Sequence, residues 1–231
     1  MNANGSARRT RLIGVAGCSG AGKSEVARAL ADWLPAPCPV VTLDSYYFAL
    51  DHLSWEERAA MNFDHPDSLD WPLIREHVAA LARGETIAEP VYLFAQHTRA
   101  AEPRVVTPGE FAIVEGLFTL HDAAVRAQWE LSIFVATPDE VCFERRKRRD
   151  QLERGRDVAS IERQYAATVR PMAEQFVRPS ARYADVILSG DNPLDAVLTR
   201  VRECTAQRLG LSLLPGQSRT EPPSADGAHR H

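Results

Sequence analysis

Apolar positions recur along this chain in two rhythms. Unbroken short runs have the length and β-branched content of strands buried on both faces. They are Leu12-Ile13-Gly14-Val15-Ala16, Val40-Val41-Thr42-Leu43, Phe111-Ala112-Ile113-Val114, Leu131-Ser132-Ile133-Phe134-Val135 and Ala184-Asp185-Val186-Ile187-Leu188. Between them, apolar residues return every three or four positions, as one side of a helix requires: Val26, Ala29, Leu30 and Trp33, then Leu73, Ile74, His77, Val78 and Leu81. The second helix has Asp70 as N-cap, Pro72 in its first turn and Gly84 as its stop. Further helices are expected near 121–129, from Pro138-Asp139-Glu140 onward, over 158–178 with a bend at Pro171, and over 193–208. Residues 49–69 carry neither rhythm and read as loop. Segment 84–108 reads as a small β insertion in which Val105-Val106 pairs with part of the preceding stretch as a hairpin. Strands alternating with helices predict an α/β fold, a mainly parallel sheet covered on both faces.

Composition narrows the class of protein. At 231 residues the chain suits one domain, expected over 11–209, with a flexible N-terminus at 1–10 and a disordered tail at 210–231 rich in Pro, Ser, Gly and charge. The net charge of −4 gives no reason to expect nucleic-acid binding. The four cysteines, Cys18, Cys38, Cys142 and Cys204, are scattered without a C-x-x-C pair, so neither a zinc site nor a disulfide framework is indicated. No apolar run reaches membrane-spanning length and residues 1–10 lack a signal-peptide core, so the expected location is the cytoplasm.

Chemistry enters at Gly17-Cys18-Ser19-Gly20-Ala21-Gly22-Lys23-Ser24, a match to G-x-x-x-x-G-K-[ST] set between a strand and a helix. Glycines permit the turns that aim successive N–H groups at phosphate oxygens, with the positive end of a helix behind them. Gly17, Ser19, Gly20, Ala21, Gly22, Lys23, Ser24 and Glu25 form the candidate phosphate cradle. Lys23 would reach the β- and γ-phosphates and Ser24 would ligate Mg²⁺. A chance glycine turn is the bland alternative, and the flanking strand and helix argue against it. The expected architecture is therefore that of a P-loop NTPase, three-layer α/β/α.

Ligands of such sheets sit at the carboxyl ends of the strands, where Asp44 and Glu115 fall. Each could hold the metal or accept a proton from an attacking hydroxyl. The basic run 145–149 leads into Arg154-Gly155-Arg156; a solvated helix face is one reading, and a lid over phosphates spanning 145–157 is the other. Phe63-Asp64-His65-Pro66 and Tyr92-Leu93-Phe94-Ala95-Gln96-His97 mix aromatic and polar groups suited to a sugar and a flat base. His52, His65, His77 and His121 show no metal spacing, and His77 on an apolar helix face reads as structural.

Together these stretches resemble the uridine kinase (uridine–cytidine kinase) family of P-loop kinases from about Leu12 to Leu188. The carriers are the phosphate loop, Leu43-Asp44-Ser45-Tyr46-Tyr47, Asn62-Phe63-Asp64-His65-Pro66-Asp67, Pro90-Val91-Tyr92-Leu93-Phe94 with His97, Val114-Glu115-Gly116, the segment from Arg149 through Glu153-Arg154-Gly155-Arg156-Asp157, Gln164-Tyr165, and Arg182-Tyr183-Ala184-Asp185-Val186. The resemblance implies transfer of the γ-phosphoryl of ATP or GTP to the 5′-hydroxyl of uridine or cytidine, in the presence of Mg²⁺. It implies Asp44 as catalytic base, with Ser24, Asp44 and Glu115 around the metal. Lys23, Arg149 and Arg154 would meet the phosphates. Asp64, Arg156 and Gln164 would take the ribose hydroxyls, with Tyr47 at the sugar end. Tyr92 and His97 would bond the pyrimidine among Phe63, Phe94 and Leu117, with Arg146 approaching the base. A small-molecule nucleoside is thus the expected partner, and a homotetramer the expected assembly. Leu93 stands where the family usually has aspartate, and 48–62 departs most from the family pattern. A phosphoribulokinase-like or pantothenate kinase-like enzyme would share the phosphate loop, and a non-enzymatic nucleotide-binding regulator would share the fold while tolerating loss of Asp44 and Asp64.

Overall fold

The computed structural model describes residues 9–213, so most of the expected flexible N-terminus and of the expected disordered tail lies outside the described residues. The first strand, β1 (Arg11–Gly17), is buried along nearly its whole length, and the glycine loop leads from it into α1 (Lys23–Trp33). Next come β2 (Val40–Thr42) and a tight 3₁₀ turn, Leu43–Tyr46, in which the Asp44 N–H donates to the Thr42 hydroxyl. A short helix, α2 (Trp55–Ala59), precedes α3 (Trp71–Ala82). The insertion holds β3 (Ile87–Glu89), β4 (Tyr92–Leu93), β5 (Thr98–Arg99) and β6 (Arg104–Val106). Then follow β7 (Phe111–Gly116), α4 (Ala123–Arg126), β8 (Trp129–Ala136), α5 (Asp139–Arg154) and α6 (Val158–Gln164). Beyond α7 (Arg170–Met172) the chain closes with β9 (Val186–Ser189) and α8 (Leu194–Leu209).

Five strands form one sheet in the order β2-β7-β1-β8-β9, and every pairing is parallel. All carboxyl ends therefore emerge on one side, which gathers the glycine loop, the turn after β2 and Glu115 on one rim. Register makes this specific: Glu115 pairs with Val15 on one side and Thr42 on the other. The sheet is apolar on both faces because helices cover both. Helices α1 and α8 pack on one face, while α3, α4 and the 3₁₀ segment Arg178–Tyr183 cover the other. Among the described residues no helix is long and apolar enough to cross a membrane.

Local rules account for most boundaries. Asp70 caps α3 by accepting from the Leu73 N–H at 3.2 Å, and Gly84 takes a left-handed conformation just beyond its end. His77 is a core residue, its Nδ1 3.0 Å from the buried Tyr46 hydroxyl, and burial lowers its pKa. The four cysteines are free.

Three expectations are amended. Segment 49–69 is not all loop: α2 opens with a capping box in which Ser54 and Glu57 bond each other's backbone N–H groups. The insertion is two antiparallel ladders instead of one hairpin, β3 with β6 and β4 with β5. The stretch over 158–178 is interrupted at more points than Pro171 alone. Pro171 lacks an N–H for the helical ladder, and π turns at Tyr165–Val169 and Ala173–Val177 flank it.

Asp70 also accepts from Arg99 at 3.3 Å, so Asp70→Ala should lower unfolding free energy by about 1–2 kcal/mol, the value of a cap plus a partly exposed ion pair. Urea unfolding checks this; an unchanged midpoint contradicts the capping role.

Candidate nucleotide and substrate site

The phosphate loop is shaped by two left-handed glycines. Gly20, at φ 82°, lies so close to α5 that a Cβ would stand 2.3 Å from the Cys142 carbonyl oxygen. Gly22, at φ 100°, is the N-cap of α1 and has no side chain to satisfy the first-turn N–H groups. Those donors are available to an anion at the positive end of the helix. Thr137 pins the loop from β8's exit by donating to the Ala21 carbonyl at 3.0 Å. Lys23 reaches back over the loop, its Nζ 3.2 Å from the Cys18 carbonyl. A cleft of about 590 Å³ opens here, lined by the loop, Arg145, Arg149 and Asn192 among others. A larger depression of about 860 Å³ lies around Pro37, Gly84 and Gly109, away from the glycine loop and its carboxylates. The chemistry goes with the smaller cleft at the strands' carboxyl ends.

The loop fits a nucleoside triphosphate, and its surroundings fit Mg²⁺. Ser24 Oγ donates to Glu115 Oε1 at 3.2 Å. Burial pushes the Glu115 carboxyl above its ordinary pKa, opposed by Lys23 and reinforced by Asp44. A buried carboxylate left short of positive charge is a place where a cation is favourable. Among the described residues no group of three or more His, Cys, Asp or Glu could hold a metal. One hydroxyl with one or two carboxylates is the set that Mg²⁺ uses when phosphates and water complete its shell.

Asp44 sits in the 3₁₀ turn after β2, with its N–H donating to Thr42 Oγ1 at 3.4 Å. Its charge raises the pKa of Glu115, Asp64 and Tyr47 alike, so it lies between Glu115 on one side and Asp64 with Tyr47 on the other.

On that second side Asp64 is almost fully buried, and burial raises its pKa against the opposing pull of Arg146. Arg146 stands 3.7 Å from Asp64 and Thr168 donates to its other oxygen at 3.3 Å. The same guanidinium donates to Ser19 Oγ in the phosphate loop at 3.0 Å and approaches Gln164 Oε1 at 3.4 Å. Arg156 donates to Gln164 at 2.6 Å. Asp64, Arg146, Arg156 and Gln164, drawn from three separate stretches, thus meet in one network. At its centre is Asp150, fully buried, facing Arg146 at 3.6 Å, Arg149 at 2.9 Å and Arg156 at 3.4 Å. Arg149 also reaches the nucleotide cleft. The basic run is therefore helix, continuous to Arg154, where Gly155 ends it in a left-handed turn. Sequence reasoning passed over Asp150 and Thr168; the spacing of Asp150 four residues after Arg146 was the available signal.

The aromatic residues also converge. Tyr47, buried, meets Phe63 at 5.3 Å and Tyr92 at 5.2 Å between ring centres, and Tyr92 meets Phe94 at 5.2 Å. Phe63 and His97 stack on each other at 5.3 Å and 15°, so they form one wall and not the two sides of a sandwich. The Tyr92 hydroxyl is buried without a hydrogen-bond partner. Leu117 packs against the core just beyond Gly116. Trp55 and Arg58 of α2 complete this wall: Trp55 lies 6.1 Å from the His97 ring, and Arg58 donates to the Gln96 carbonyl at 3.1 Å. Neither was a sequence candidate.

A parallel α/β sheet with a glycine phosphate loop, a buried carboxylate bonded to Ser24 and a buried polar network around Arg146 defines a P-loop kinase. The chain belongs to the phosphoribulokinase / uridine kinase family, whose model matches residues 12–192. It is similar to the uridine kinase of Alkaliphilus metalliredigens, 42% identical over 205 residues that cover 87% of this chain and 99% of that one. It is also similar to the uridine kinase of Aliivibrio fischeri (strain MJ11), 43% identical over 182 residues, 77% of this chain and 85% of that one. Among solved structures, a D-glycerate 3-kinase from Cryptococcus neoformans matches with TM-score 0.57 at 14% identity, covering 75% of this chain and 80% of that one, a likeness of fold alone.

The raised pKa of Glu115 has a signed consequence. Its folded value exceeds its unfolded one, so ionisation in the folded state costs stability as pH rises through the ordinary carboxylate range, and the cost is complete above the folded pKa. Glu115→Gln should therefore leave stability unchanged at low pH and raise it at neutral pH, while weakening Mg²⁺-dependent nucleotide binding. Thermal melts across pH with and without Mg²⁺ and nucleotide test this; a variant less stable at neutral pH contradicts it.

Proposed function

We propose that the protein transfers the γ-phosphoryl group of ATP or GTP to the 5′-hydroxyl of uridine or cytidine, giving the nucleoside 5′-monophosphate. The observation that carries this reading is the Arg146 link, in which a buried guanidinium spans Ser19 of the phosphate loop and Asp64, a carboxylate suited to paired ribose hydroxyls. The similarity to proteins named uridine kinase supports it. So does the aromatic group of Tyr47, Phe63, Tyr92, Phe94 and His97 beside that carboxylate. A sugar-phosphate acceptor would call for surplus cations near Asp64, whereas Arg146 and Arg156 already face Asp64 and Asp150.

In this reading Asp64, Gln164 and Arg156 hold the ribose, while Tyr92 and His97 bond the base edge. Asp44 accepts the proton of the 5′-hydroxyl as its oxygen attacks in line. Lys23 and Arg149 balance charge on the triphosphate, and Arg154, the last residue of α5, is assigned to the same task. Mg²⁺, held by Ser24 with Asp44 and Glu115, would neutralise charge on the phosphate oxygens. Positioning of the two substrates supplies much of the rate.

Labelled ATP offered against nucleosides, sugar phosphates and pantothenate tests the assignment, with transfer to uridine or cytidine expected. Transfer to a sugar phosphate alone overturns it. Asp44→Asn should keep nucleoside and ATP affinity and lose roughly 10² or more in turnover; near-normal turnover removes Asp44 as the base.

A further inference from the structure

The base-side wall holds two buried polar atoms with nothing to bond. One is the Tyr92 hydroxyl and the other is Nε of Arg58. Both belong to residues that face the same aromatic group. Tyr92 contacts Tyr47, Phe63 and Phe94, while Arg58 is fixed beside His97 by its bond to the Gln96 carbonyl at 3.1 Å and by Asp51 at 3.9 Å. Asp51 in turn accepts from Thr98 on β5, so α2 and the hairpin that carries Tyr92 and His97 are tied together. Burying a donor without an acceptor is costly, and a ligand that supplies the acceptor recovers that cost.

The kind of ligand follows from the donor inventory. An arginine Nε–H can only donate. A tyrosine hydroxyl can donate, and the guanidinium beside it favours an electron-rich partner. Burial first, then the Arg58 cation, lowers the pKa of His97. A pocket with a fixed cation and free donors favours a carbonyl oxygen over an amino group. The two pyrimidine nucleosides differ in this same respect: uridine carries a carbonyl at position 4, where cytidine carries an NH₂ donor.

We propose that Arg58, through its unpartnered Nε beside Tyr92, is a specificity-determining residue that selects uridine over cytidine. This deepens the proposed function and rests on it. An amino group placed against an arginine donor leaves both unsatisfied, and the discrimination that follows exceeds what a change of size would produce.

The test is kcat/KM for uridine, cytidine and pyrimidin-2-one riboside, which has neither group at position 4, with the full-length protein and with Arg58→Met and Arg58→Lys. The unmodified protein should prefer uridine over both others by about tenfold or more, the size of one charge-assisted hydrogen bond. Arg58→Met should lose that factor for uridine alone, change the other two less than about threefold by comparison, and leave KM for ATP as it was. Arg58→Lys should restore part of the preference. Equal losses for all three nucleosides mean that Arg58 only supports the wall, and they overturn the proposal, as does an unmodified protein that prefers cytidine. Should Arg58→Met fail to fold, Arg58→Lys decides: a uridine preference reduced relative to the unmodified protein supports the proposal, and an unchanged preference overturns it. A protein that phosphorylates none of the three overturns the assigned activity itself, a different outcome from activity without selectivity.

Discussion

The guanidinium of Arg146 is the interaction on which the site depends. It is buried to within a tenth of full exclusion, and its partners come from four places in the chain: Ser19, Asp64, Asp150 and Gln164. A buried cation is tolerable only when its partners surround it, and removing one leaves an uncompensated charge. The phosphate loop, the loop after α2, helix α5 and helix α6 are thereby held to one geometry. In the proposed function, two substrates that must meet in line are recognised by walls that share this one side chain.

Around that link the charges are arranged by side. Lys23, Arg145 and Arg149 face the nucleotide cleft. Glu115 and Asp64 are carboxylates that burial leaves energetically dissatisfied, each with its pKa pushed up. Such groups weaken the empty protein, and in the proposed function they strengthen its hold on a metal and on sugar hydroxyls, a trade seen where stability is given up for binding. Asp150 does the opposite: fully buried and faced by three arginines, it fixes the cationic side chains before any phosphate arrives.

What the sequence made legible was local. Strand, glycine loop and helix follow one another, so the phosphate loop declares itself without tertiary information, and Asp70 and Gly84 bracket α3 by backbone chemistry alone. The parallel sheet followed from alternation. Legibility failed where distant segments decide. Helix α2 is five residues long and carries no apolar face, so its capping box at Ser54 and Glu57 was its only signature. The insertion splits into two ladders according to which strands pair, β3 with the distant β6 and β4 with β5, and periodicity does not record such pairing. Asp150 looks like any acid in a charged helix until the chain brings Arg156 back onto it. Arg58 looks like solvated surface until the hairpin folds over it.

The most direct measurement is a crystal structure of the protein with uridine and a non-hydrolysable ATP analogue. The account predicts Asp64 bonded to the ribose hydroxyls, Arg146 still joining Asp64 to Ser19, and Asp44 facing the 5′-oxygen opposite the terminal phosphorus. A ribose bound elsewhere, or Asp44 turned away from that oxygen, would contradict it.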